Sequence, residues 1–135
     1  MKKRWLLMIP ALMLILGLCA CSGRVKLDYG TSALYTQADR EAAVAVIRAE
    51  FDTWQGCELH SITYMGDACN SPENLAWMRR LGGKEYTQCI AFVSNFHTPR
   101  LNAGAWNPDE EYRGWTWYLA RVDGGAWELL TNGFA

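Results

Sequence analysis

The sequence predicts an α+β domain in which a long N-terminal helix packs on a curved, mainly antiparallel four-stranded sheet. Three observations carry this expectation. Apolar residues recur at three- and four-residue intervals from Ala43 to Trp54, the spacing of one helix face. Segments after Tyr86 alternate apolar and polar side chains, the period of a strand. Asp123-Gly124-Gly125 separates two Trp-bearing segments and supplies the positive-φ residues of a tight hairpin.

Taken in order, the helix opens at Thr36, a good N-cap, with Asp39 three residues on, near the positive end of the helix dipole. Its stripe is Ala43, Val46, Ile47, Phe51 and Trp54, and Gly56 ends it. Cys57 to Met65 reads as a first strand, whose imperfect alternation calls for a bulge near Ser61. Ser71-Pro72 has the cap and first-turn proline of a short helix, stopped by Gly82-Gly83. Tyr86 to Phe96 has two fairly apolar sides, as a central strand should. Tyr112 to Val122 and the segment holding Trp127, Leu129 and Thr131 form the closing hairpin.

Helix, strand, short helix and three strands is the order of a cystatin-like or nuclear transport factor 2-like roll. Tyr35-Thr36-x-x-Asp39 and Phe51-x-x-Trp54-x-Gly56-Cys57-x-Leu59 resemble the opening of a family of small bacterial lipoproteins, the domain of unknown function 4829 type. Tyr112-x-x-Trp115-x-Trp117-x-Leu119-x-Arg121, Gly125-x-Trp127-x-Leu129 and Gly133-Phe134 resemble its closing hairpin. The resemblance spans nearly all of Tyr35 to Phe134. It implies a cone-like sheet wrapped about the first helix and carries no catalytic residue across.

The first twenty residues read differently. Met1-Lys2-Lys3-Arg4 is positive, and Trp5 to Leu18 is almost wholly apolar, the order of a secretory signal. Fourteen residues are fewer than the roughly 20 a helix needs to cross a bilayer. Leu18-Cys19-Ala20-Cys21 resembles the lipobox of bacterial lipoproteins, with small Ala20 before the cut and Ser22-Gly23 after it. The expected arrangement is a signal peptide over residues 1–20, lipidated Cys21 with a flexible tether to residue 34, and a domain over 35–135. That places the protein at the cell membrane, lipid-anchored on its extracytoplasmic face.

Removing twenty of the 135 residues leaves 115, enough for one domain. The remainder carries ten Lys and Arg against fourteen Asp and Glu. No basic patch appears, which excludes nucleic acid as the expected partner and electrostatic adhesion to anionic lipid. Besides Cys21, the cysteines after residue 20 are Cys57, Cys69 and Cys89. None has C-x-x-C spacing, so zinc is not expected. If a disulfide forms, Cys69 with Cys89 is the candidate, since a strand end and a strand start should meet there.

The candidate binding residues are aromatic. Trp115, Trp117 and Trp127 share a parity on the hairpin, and Trp106 stands in the long Asn-, Gly- and Pro-rich loop from Thr98 to Glu111. They could line a cleft for a small ligand, with Arg113 and Arg121 beside it to meet an anion. The plainer expectation for alternating strand tryptophans is core packing. His60 and His97 are the only neutral-pH bases, and Asp109-Glu110-Glu111 reads as a solvated loop tip. No metal, cofactor or nucleophile–base motif is found. The expected function is therefore a non-catalytic binding domain for a small ligand or an envelope protein. The alternatives are a structural accessory subunit of an envelope complex, or an isomerase- or dehydratase-type enzyme with His60 or Glu58 buried among aromatics.

Overall fold

The computed structural model describes residues 24–134. The expected signal peptide and lipidated Cys21 lie outside the described residues. The elements are β1 (Lys26–Asp28), α1 (Gln37–Phe51), β2 (Glu58–Tyr64), a 3-10 turn (Asp67–Cys69), α2 (Pro72–Gly82), β3 (Gln88–His97), β4 (Glu111–Arg121) and β5 (Glu128–Phe134). The strands form one sheet in sequence order.

Capping chemistry starts α1. The Thr36 hydroxyl accepts from the Asp39 amide at 3.1 Å, and the Asp39 carboxylate accepts from the Thr36 amide at 3.0 Å. Arg40, Ala43, Val44, Ile47 and Phe51 form the buried face, at three- and four-residue spacing. They meet Ile62, Ile90, Phe92, Trp117 and Leu119 on one face of the sheet. On the opposite face, α2 covers one end through Met78, packed with Tyr86, Cys89 and Ala120. Successive strand residues point to opposite faces, so both cores draw on β3 and β4.

The sheet departs from the expected architecture. It has five strands and is mixed, because β1 pairs with β2 in parallel while the other three pairings are antiparallel. The described chain opens on this strand, so no long N-terminal helix leads the fold; the two α-helices have 15 and 11 residues. Neither the four-stranded sheet nor the cystatin-like or nuclear transport factor 2-like roll therefore describes this protein. Residues 26–28, expected within a flexible tether, are a sheet edge. A three-residue strand has no measurable period, and its partner lies across α1, the crossover a parallel pair requires.

Register steps from Leu59 opposite Phe96 to Ser61 opposite Asn95, so His60 is the extra residue of a bulge, at the place the broken alternation indicated. A second step, between Ser94 and Phe96, displaces Asn95 against β4. The Cys69–Cys89 disulfide is not formed: Cys57, Cys69 and Cys89 are free thiols. The 3-10 turn does pack on β3, where the Asn70 side chain accepts from the Cys89 amide at 3.0 Å. Burial pushes the Cys89 thiol up to about 12, aided by nearby Cys69, so it is held as the unreactive thiol.

Candidate functional site

The aromatic residues fill the space between α1 and the sheet instead of lining an opening in it. Trp117 is fully buried, its ring stacked on Trp54 at 5.1 Å and its indole N–H donating to Ser94 Oγ at 2.8 Å. Trp127 is buried against Tyr35 and donates to the Asp39 carbonyl at 3.0 Å. Arg121 lies 4.2 Å over the Trp127 ring and is engaged by Asp39 and Gln88, so it is no free anion receptor. Trp115 donates to Asn132 at 3.0 Å. Trp106 folds back from its loop onto Trp54, Phe96, Tyr112 and Trp115, at 5.2–5.3 Å between ring centres. Of the six residues singled out for binding, Arg113 lines an open concavity.

That concavity is polar and lies on the other side of the sheet, on the half that α2 leaves uncovered. It measures about 600 Å³. Register builds its floor: Lys26 stands beside Ser61 and Asn95, and Asp28 stands beside Thr63. Arg113 and Glu111 come from β4, and the bulge brings in His60. Two cationic side chains, two carboxylates and three neutral hydrogen-bonding groups thus share one basin on strand backbone.

At its rim one carboxylate joins two imidazoles. Glu111 Oε1 is 2.9 Å from His60 Nδ1, and Glu111 Oε2 is 3.1 Å from His97 Nδ1. The two rings stack with centres 6.2 Å apart. His97 Nε2 meets Asp109 at 2.9 Å, and Asp109 also pairs with Arg100 at 3.3 Å. With a carboxylate on each ring nitrogen, His97 must donate from both, which only the protonated imidazole can do. Asp109 first, and then Glu111, raises the His97 pKa above its ordinary 6.5. Burial of Glu111 favours its neutral form, but the hydrogen bonds from His60 and His97 outweigh it and lower its pKa. Asp109 is lowered by His97 and then Arg100.

These directions fix a pH dependence. The His97 contribution to stability is complete below its ordinary value of 6.5 and is lost as pH rises through its higher folded value. Those of Glu111 and Asp109 are present above their ordinary 4.5 and 3.8 and are lost as pH falls through their lower folded values. Thermal unfolding of the wild type relative to His97→Gln should therefore show its largest advantage between these limits, fading in alkali. A His97 ring that titrates at or below 6.5 by NMR would contradict this.

Sequence reasoning considered His60 and His97 one at a time and placed Glu111 in a loop tip. Glu111 is instead the first residue of β4, paired with His97. The available signal was parity: extending the Cys89, Ala91, Val93 side of β3 reaches Asn95 and His97, so that face turns polar at one end. Among the described residues, no group of three or more His, Cys, Asp and Glu is placed to hold a metal ion. No family model matches the chain, and no curated protein or solved structure is significantly similar to it.

Proposed function

We propose that this protein is a membrane-anchored extracytoplasmic lipoprotein, acylated at Cys21, whose domain binds a small polar ligand without transforming it. The anchor rests on the positive, apolar and Leu-x-Ala-Cys order of residues 1–21. The binding site rests on one observation, the basin where Lys26 and Asp28 of β1 face Arg113 and Glu111 of β4 across Ser61, Thr63 and Asn95. Charges of both signs around neutral hydrogen-bonding groups suit a zwitterion, such as an amino acid, a short peptide or an amino sugar. Glu111 is committed to two imidazoles, and the buried Cys89 is held as its thiol, so the basin has a recognition surface and no activated nucleophile.

Two measurements test this reading. Cys21→Ala should lose lipid incorporation and move from the membrane to the supernatant on fractionation; continued lipid labelling would refute the anchor. Amino acids, dipeptides and amino sugars titrated against the protein should shift NMR signals of Asn95 and His60 and leave Trp127 unmoved. Arg113→Ala, an exposed change, should weaken that binding by about tenfold, the loss of one charge-assisted hydrogen bond. Shifts confined to other surfaces would remove the basin from consideration.

A further inference from the structure

Building on the acylation of Cys21, we infer that the pole of the domain carrying Leu101, Trp106 and Phe134 rests against the bilayer surface, with its aromatic side chains at the headgroup level. Strand register supplies the first argument. β1 runs parallel to β2 with Lys26 opposite Ser61, so the chain entering β1 comes in beside Leu59 and Glu58. Glu58 pairs with His97, the last residue before the loop that carries Leu101 and Trp106. Arg24 is three residues beyond Cys21, a stretch that reaches at most about 10 Å even fully extended. Covalent geometry thus ties the acylated residue to this end of the sheet.

The second argument is what this end exposes. Leu101 is 80 % exposed and Phe134 63 %. From Phe134 runs an unbroken series of ring contacts: Phe134 to Trp115 at 5.1 Å, Trp115 to Trp106 at 5.2 Å, and Trp106 to Trp54 at 5.2 Å. Trp54, Trp106, Tyr112 and Trp115 are all only partly buried. Amphipathic indole and phenol rings favour the membrane–water boundary. At the opposite end the exposed apolar residues Leu34, Met65, Leu81 and Val122 come from four separate segments, with no aromatic band joining them.

Charge identifies the kind of surface. At this pole Asp52, Glu58, Asp109 and Glu110 are offset by Arg24, Arg48, Arg100 and the doubly donating His97. The pole therefore has no cationic excess to hold an anionic membrane, and attachment depends on apolar contact with a zwitterionic interface. The polar basin opens on the sheet face next to this pole, and His97 and Asp109 form the border between them.

The test uses the full acylated chain in phosphatidylcholine vesicles containing a lipid with a photoactivatable diazirine high on its acyl chain. After irradiation and digestion, label should map to the peptides holding Leu101 to Trp106 and Phe134, and be missing from those of Leu34, Met65 and Val122. Leu101→Glu, at a side chain the fold does not bury, should reduce loop labelling several-fold. Equal labelling of both poles, or labelling of the Cys21 peptide alone, would overturn the orientation while leaving the anchor intact. A Cys21 peptide whose mass shows no acyl group would overturn the anchor and the orientation with it.

Discussion

Trp117→Ala should lose about 3–5 kcal/mol of stability, the range for truncating a large buried aromatic. A small domain has a total of only about 5–15 kcal/mol, so the variant should be marginally folded at 25 °C. Three losses combine at this side chain. It has no solvent exposure, so its whole surface becomes cavity wall. Its stacking on Trp54 goes, and Trp54 is the ring that connects α1 to Phe96 and Trp106. The buried Ser94 hydroxyl also loses its indole donor, although it keeps the Trp115 carbonyl at 3.2 Å. Trp117→Phe retains most of the volume and isolates the last loss, expected near 1–2 kcal/mol. Urea titration of both variants separates packing from hydrogen bonding. A cost for Trp117→Ala below that of Trp117→Phe would mean the core collapses around the gap.

Asp39→Ala is expected to cost about 2–3 kcal/mol, through two roles of one carboxylate. One oxygen completes the cap by accepting the Thr36 amide, and caps contribute about 1 kcal/mol. The other pairs with Arg121 at 3.1 Å. Arg121 is only 11 % exposed and keeps Gln88 and the Trp127 ring as neighbours. Removing its carboxylate leaves a half-desolvated cation; for a fully buried pair such a loss reaches 3–5 kcal/mol, and Asp39, 27 % exposed, lies below that. The Thr36 amide, and then Arg121, holds the Asp39 carboxyl below its ordinary 3.8. Its contribution is therefore present above pH 3.8 and is lost as pH falls through the lower folded value. A cycle with Arg121→Met should return a coupling above 0.5 kcal/mol. Additive single effects would show that capping alone explains the loss.

Local signals in the sequence were sufficient for α1, where Thr36 and Asp39 announce the start, and for the β4–β5 turn at Asp123-Gly124-Gly125. Strand β1 gave no such signal, because Lys26–Asp28 is extended only by virtue of β2, more than thirty residues away in the chain. Missing that strand left the expected sheet one strand short and without its parallel pairing. Core packing was the plainer expectation for the strand tryptophans, and Trp117 and Trp127 are buried; the docking of Trp106 onto Trp54 was not legible, since it depends on how the long loop folds back. The His60, His97 and Glu111 cluster was the least legible feature. It depends on two bulges and on one pairing register, all properties of strands relative to each other.

Strand β1 also defines how the domain meets a mechanical load. Tension applied through the residues before Arg24 enters along the axis of β1, so its bonds to β2 are sheared together instead of opening in turn. With three paired positions this is the first contact to part. Unravelling should then halt at Ser32 and Ala33, both held by the Asp67 carboxylate, which leaves Tyr35 and the capped start of α1 in place. Under such a load the edge strand would yield first, adding a few residues to the extended chain ahead of Ser32 while the core keeps its packing.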